Sequence, residues 1–328
     1  MSEIGGGSEV GEVSNEEETN EATLEDTNES GASSTDLDET TGAVNQILET
    51  PETLESDRTP AQSEGTAVVN QVLETPESME LAQAQAHVEQ VYHQTVESVL
   101  DKYGDHISAQ DRARIEAGVD KIQAIEANSS GRTGRYHFDA NHSSIHVVSL
   151  DAFQRERTAT HETLHSTSFN REIHVPVEGK NGYMVHKTVG TRQSSWFHSN
   201  ETGENYGYTE HGRGMNEGIT TMLTNRELAT RSPEKGEAAE RQPVYGHATD
   251  LCIALEELVG KDAMNNAFFG GKSDELADQV NRMAGAQEFD HLRDCLDRAI
   301  SDDYAERVSA TREAQEILAR MDERRSKT

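Results

Sequence analysis

Up to about residue 77 the chain has almost nothing to bury, and that confines any packed core to the remaining three-quarters of the sequence. Residues 1–80 carry 21 acidic side chains, the single basic residue Arg58, and no Phe, Trp, Tyr or His. A segment so charged and so poor in large apolar groups does not recover its backbone entropy by packing. Residues 1–77 are therefore expected to form a disordered acidic tail, and residues 78–328 the folded part. The tail contains a repeat: Val44-Asn45-Gln46-Ile47-Leu48-Glu49-Thr50-Pro51-Glu52 recurs as Val69-Asn70-Gln71-Val72-Leu73-Glu74-Thr75-Pro76-Glu77, offset by 25 residues. Two copies are too few to stack as a solenoid. Each has a short apolar side closed by a proline, the form of a docking motif that folds on a protein partner; a duplicated linker is the plainer alternative.

Beyond the tail, helical periodicity sets in. Leu81, Val88, Val91, Tyr92, Val96, Val99 and Leu100 recur at helical spacing up to Tyr103-Gly104. Ser108 with Asp111 reads as a capping box for a second helix carrying Ile115, Val119, Ile122 and Ile125, broken at Ser129-Ser130-Gly131. Tyr136-His137-Phe138 and Ser144–Val148 read as strands, and Asp151 with Gln154 as the cap of a helix over 152–168. Ile173–Val177 and Tyr183–Val189 flank a glycine-containing turn, as in a β-hairpin. Helical patterns return at about 214–229, 244–260, 273–284, 288–299 and 302–325. A small sheet followed by helices is an α+β domain.

Several functions are excluded at this level. With 29 basic against 61 acidic residues, no basic face is large enough to collect phosphates, so nucleic acid is not an expected partner. No run of 18 apolar residues exists, so no membrane span is expected. No signal-peptide pattern opens the chain; a cytoplasmic location is the default, with leaderless export of an effector-like protein as the alternative. Cys252 and Cys295 do not make a disulfide framework, and Cys252 sits on an apolar helix face as a core residue.

Chemistry enters at His161-Glu162-Thr163-Leu164-His165. Residues four apart stack on one helix face, so both imidazoles can aim at one ion. Glu162 is turned about 100° from His161 and can reach a water on that ion without being a ligand. Zinc suits two neutral imidazoles plus a carboxylate with one position open for water, whose pKa falls toward ~7. The third ligand must lie elsewhere. A metzincin extension needs glycine at 168 and histidine at 171, where this chain has Ser168 and Arg171.

Downstream, Gly214-Met215-Asn216-Glu217-Gly218-Ile219-Thr220 opens a helical stretch. Its Asn-Glu-Gly-Ile-Thr run resembles the third-ligand helix of the gluzincin-type zinc metallopeptidases. Tyr245, followed by a helix ending Leu258-Val259-Gly260, is similar to the small domains of that class. The resemblance covers roughly residues 134–285. It implies a zincin-like metallopeptidase fold, one Zn2+ per chain held by His161, His165 and Glu217, and Glu162 as general base. Gly218 would let the ligand helix approach the His161 helix closely, with Met215, Ile219, Met222 and Leu223 facing the core. Thr221 stands where these families place a carboxylate that orients a ligand histidine, so that role must fall to another group. An oxyanion donor is sought among Tyr206, Tyr208, His211, Tyr245 and His247, with Tyr245 leading by its place after the ligand helix. His174, His186 and His198 are expected at the surface of the hairpin.

The expected activity is hydrolysis of a peptide or protein substrate, by an endopeptidase rather than an exopeptidase. The excess of acid in residues 81–328 points to basic or neutral substrates. The rival is a non-enzymatic interaction protein, in which the tail repeats bind partners and the zincin scaffold is degenerate or only stabilised by metal.

Overall fold

In the computed structural model, residues 76–125, 133–139, 142–148, 151–241 and 244–327 are described. The acidic tail with its two repeats and the Ser129-Ser130-Gly131 break lie outside them, except that Pro76 and Glu77, the last two residues of the second repeat, are described as the start of a helix. What is described belongs to one compact unit, Gln71–Thr328. It is an α+β structure with two small sheets and a mainly helical carboxy-terminal half.

The first half builds a three-stranded sheet under two helices. Helix α1 (Pro76–Tyr103) places Ala84, Val88, Val91 and Tyr92 on the sheet, at the spacing the sequence indicates. Helix α2 (Ala109–Ala117) is capped by Ser108, whose hydroxyl accepts from the Asp111 N–H. It is shorter than expected. Gly118, at φ +81°, takes a conformation that L-residues rarely adopt and ends the helix. Ile122 and Ile125 therefore belong to a strand, β1 (Lys121–Ile125). Strand β2 (Gly134–Phe138) and β3 (Ser143–Val148) come next, in the order β1-β3-β2, with β3 parallel to β1 and antiparallel to β2. Among the described residues β2 pairs only with β3, so it is an edge strand.

Helix α3 (Ala152–Thr167) starts at Asp151, whose carboxylate accepts from the N–H groups of Phe153 and Gln154. It separates two cores. Ala159 packs with Val88, Ile145 and Val147 on the sheet side, and Leu164 with Met215, Ile219 and Phe268 on the helical side.

The expected hairpin is half of a larger sheet. β4 (Asn170–Pro176), β5 (Gly182–Val189), β6 (Arg192–Ser199) and β7 (Asn205–His211) form an antiparallel meander. The β6–β7 register shifts between Ser195 and Phe197, a bulge at Trp196 of the kind that re-aims a side chain.

Helices α4 (Arg213–Arg231), α5 (Pro233–Arg241), α6 (Gly246–Val259), α7 (Lys261–Gly270), α8 (Ser273–Ala284), α9 (Glu288–Arg298) and α10 (Tyr304–Arg325) complete the unit. Sequence periodicity does not reveal α5 and α7. Both are short, each opening directly after the preceding helix: α5 at Pro233, where the missing N–H is harmless, and α7 behind Gly260 at φ +90°. Met215, Ile219, Met222 and Leu223 are buried as expected, and Cys252 is fully buried among them. Gly218 does not face α3. A Cβ there would lie 2.7 Å from both the Ala248 carbonyl oxygen and the Cys252 sulfur, so this glycine lets α4 press against α6.

Candidate metal centre

His161 and His165 lie a turn apart on α3, and Glu217 enters the same space from α4. The start of α4 is held from far along the chain. Gly212 takes the left-handed conformation (φ +75°), and the Asp297 carboxylate accepts from the N–H groups of Gly212 and Gly214 at 2.8 and 2.6 Å. The two helices run antiparallel. Arg231, at the end of α4, reaches Glu156 in the first half of α3 and donates to Thr160 in its middle, and Asn216, at the beginning of α4, meets His165 near its end.

The three donor groups converge. His161 Nε2 is 3.1 Å from Glu217 Oε2, His165 Nε2 is 3.4 Å from the same oxygen, and the two Nε2 atoms are 3.2 Å apart. Donors placed tetrahedrally around one zinc ion, at 2.0–2.1 Å each, are about 3.3 Å from one another. The donor set and its spacing therefore fit a zinc ion. All three side chains are largely buried, which keeps competing water away.

The groups behind the donors are also in place. His165 Nδ1 lies 3.4 Å from the Thr220 hydroxyl, which donates its own proton to the Asn216 carbonyl at 2.7 Å. When Nε2 serves as a ligand, the proton resides on Nδ1, and the Thr220 oxygen is there to accept it. Thr220 and Asn216, whose side-chain amide nitrogen lies closer at 3.2 Å, are thus the groups that face Nδ1, and Thr221 is not among them. Burial pushes the Glu217 carboxyl upward, but His165 and His161 together outweigh it and hold it well below the usual carboxylate range.

Glu162 sits beside this group, fully enclosed. Desolvation raises its carboxyl to about 7 against the opposing influence of His161, with Glu217 adding to the rise and the Tyr136 N–H resisting it. Gly134 on β2 makes the space: a Cβ there would stand 2.7 Å from Glu162 Oε1. Gly134→Ala should therefore displace the carboxylate by a fraction of an ångström. Any Glu162-dependent rate should fall by about 10²-fold, with bound metal measured by elemental analysis unchanged.

Of the five proposed oxyanion donors, Tyr245 and Tyr208 line the cleft in front of the metal group, whereas Tyr206, His211 and His247 are exposed. Tyr245 is the better placed. Its ring centroid is 6.4 Å from that of His161, and its backbone holds φ +56°, a conformation costly for a non-glycine residue. Burial, then the Glu217 carboxylate, raises its phenol pKa, so it remains a proton donor, with the Arg213 guanidinium pulling the other way. His174 and His186 are exposed as expected, and His198 is half-buried against Tyr183.

The cleft encloses about 810 Å³ between α3, α4, β2 and the β5–β6 face, a size suited to a short stretch of peptide. Arg135, Arg157, Lys187, Arg192 and Arg213 line it, with Trp196 at its wall. None of these was marked by the sequence. Arg157 did leave a signal, standing four residues before His161 on the same helix face. A second donor group, His291, Cys295 and Glu313, lies on α9 and α10. There Arg298 takes both carboxylate oxygens, at 3.0 and 3.1 Å.

No family model, curated protein or solved structure matches this chain. Its functional reading rests on the chemistry of the cleft.

Proposed function

We propose that the chain is a zinc-dependent metallopeptidase of gluzincin type, acting as an endopeptidase, with a zincin-like catalytic domain. The observation that carries this is the separation of the three donor atoms, 3.1 to 3.4 Å, with an enclosed carboxylate on the adjacent residue. His161, His165 and Glu217 would hold the ion. When bound there, zinc supplies Lewis acidity toward the scissile carbonyl and lowers the pKa of water to about 7.

The remaining tasks belong to the chain. Glu162 would take the proton of the attacking water and return it to the leaving amine, and its burial, which raises the carboxyl, favours the protonated form that delivers the proton. Tyr245, protonated and beside His161, donates to the oxyanion as it forms. Strand β2, an edge strand among the described residues, lines the cleft, with its Tyr136 N–H donating to Glu162 and its Phe138 carbonyl accepting from Lys187.

Purified full-length protein should carry about one zinc per chain by elemental analysis. It should also generate new amino termini in a proteome-derived peptide library, an activity removed by chelation and restored by zinc. Well under one ion per chain together with an uncut library would overturn the reading. The tail repeats on which the non-enzymatic alternative rests lie, but for Pro76 and Glu77, outside the described residues.

A further inference from the structure

Among the described residues, Arg157 is buried with no counter-ion. Only 5% of its surface is exposed, yet it makes no ion pair, and its Nη2 is buried with no hydrogen-bond partner. Charges in protein interiors are ordinarily paired, because an unpaired one loses its hydration without compensation. Here desolvation depresses the guanidinium and no acidic neighbour counteracts it.

The residue opens onto the same cleft as the metal group. On α3 it lies one turn before His161. On α4, one turn beyond Glu217, Thr221 is 2% exposed and its hydroxyl oxygen is likewise buried with no partner. The antiparallel run of the two helices carries both positions to the same side of the metal donors, and both line the cleft. Two unpartnered polar groups, one a planar fork of donors and the other a hydroxyl, make a receptor for an oxyanion. The cations Arg135, Lys187 and Arg213 in the same cleft set its field in the same sense.

We propose that Arg157, assisted by Thr221, binds a carboxylate of the substrate next to the scissile bond, making this a peptidase selective for acidic peptides. The proposal rests on the peptidase reading above and names the substrate class of that site. The carboxylate could come from an Asp or Glu side chain or from the chain terminus of the peptide, and the two sources are separable by experiment.

The test uses full-length, zinc-loaded protein and a peptide it cleaves in the library. That peptide is made in four forms, with Glu or Gln at each position flanking the cut and with the terminus free or amidated. At least a tenfold higher kcat/KM is expected for the form carrying the carboxylate. A preference that tracks Glu over Gln assigns the side chain, and one that tracks the free terminus assigns the terminal group. The ratio should collapse toward one in Arg157→Gln and be partly kept in Arg157→Lys, which also serves if the glutamine variant does not fold. Equal rates on all forms, or a ratio unaltered in both variants, would overturn the proposal while leaving the peptidase reading intact. A second readout avoids turnover: the Glu162→Gln protein should bind the fluorescently labelled acidic peptide at least tenfold more tightly than its neutral twin. If the library stays uncut and neither labelled peptide binds, both readings fall.

Discussion

Glu162→Gln protein is expected to retain one zinc per chain and to lose at least about 10³-fold in kcat/KM on a fluorogenic peptide, the upper part of the range for removing a general acid–base group. Glutamine has the shape of glutamate and none of its basicity. Folding should be unaffected or slightly improved, because burial already disfavours the charged form of this carboxyl and the amide needs no ionisation. Elemental analysis, thermal melting and kinetics on the same preparation separate these effects. A glutamine variant that still hydrolyses at more than a tenth of the normal rate would dismiss Glu162 as the base. If a cellular activity of the chain survived this substitution but not deletion of residues 1–80, the interaction-protein alternative would gain ground.

His161→Ala has the second large effect, and on a different quantity. It leaves two donors where three converge, so zinc affinity should drop on the order of 10³-fold, a modest share of the apparent binding energy of protein zinc sites. Stability gives a readout that needs no substrate. A ligand that binds only the folded chain at a hundred times its Kd adds about 2.7 kcal/mol. For a folded unit of this size that corresponds to roughly 5–10 °C in Tm. Unsubstituted protein should show that rise when zinc is added, and His161→Ala should show almost none. An equal rise in both would place the ion elsewhere.

How much of this could be read beforehand depended on distance along the chain. His161, Glu162 and His165 lie within five residues on one helix, so their relation is fixed by helical geometry and by a cap at Asp151 that is plain in sequence. Glu217 was found through a short run similar to a family pattern, but its approach to His161 within 3.1 Å is a tertiary fact. Gly134 and Thr220 act through packing against partners 28 and 55 residues away, and no local period encodes that. Helices α1, α3 and α4 have long amphipathic patterns and were legible. Strands β6 and β7 were not, because the exposed polar side chains of Asn205–His211 hide the alternation that marks a half-buried strand. Gly218 illustrates the limit well: a close helix contact was rightly anticipated there, but its partner is α6.

Net charge and cleft charge differ in this chain. Net charge adds side chains without regard to where they point, and the acidic balance of residues 81–328 suggested basic or neutral substrates. The cleft itself is lined by Arg135, Arg157, Lys187, Arg192 and Arg213, the opposite sign from the chain as a whole.

The clamp of Asp297 on Gly212 and Gly214 bears on when the site can exist. Both histidines are synthesised early, but the turn that presents Glu217 is secured by a residue some eighty positions later. A polypeptide that stops before α9 contains all three donors but lacks the carboxylate that ties down the turn before Glu217. The geometry of the donor group is therefore tied to a helix that follows Glu217 by some seventy residues.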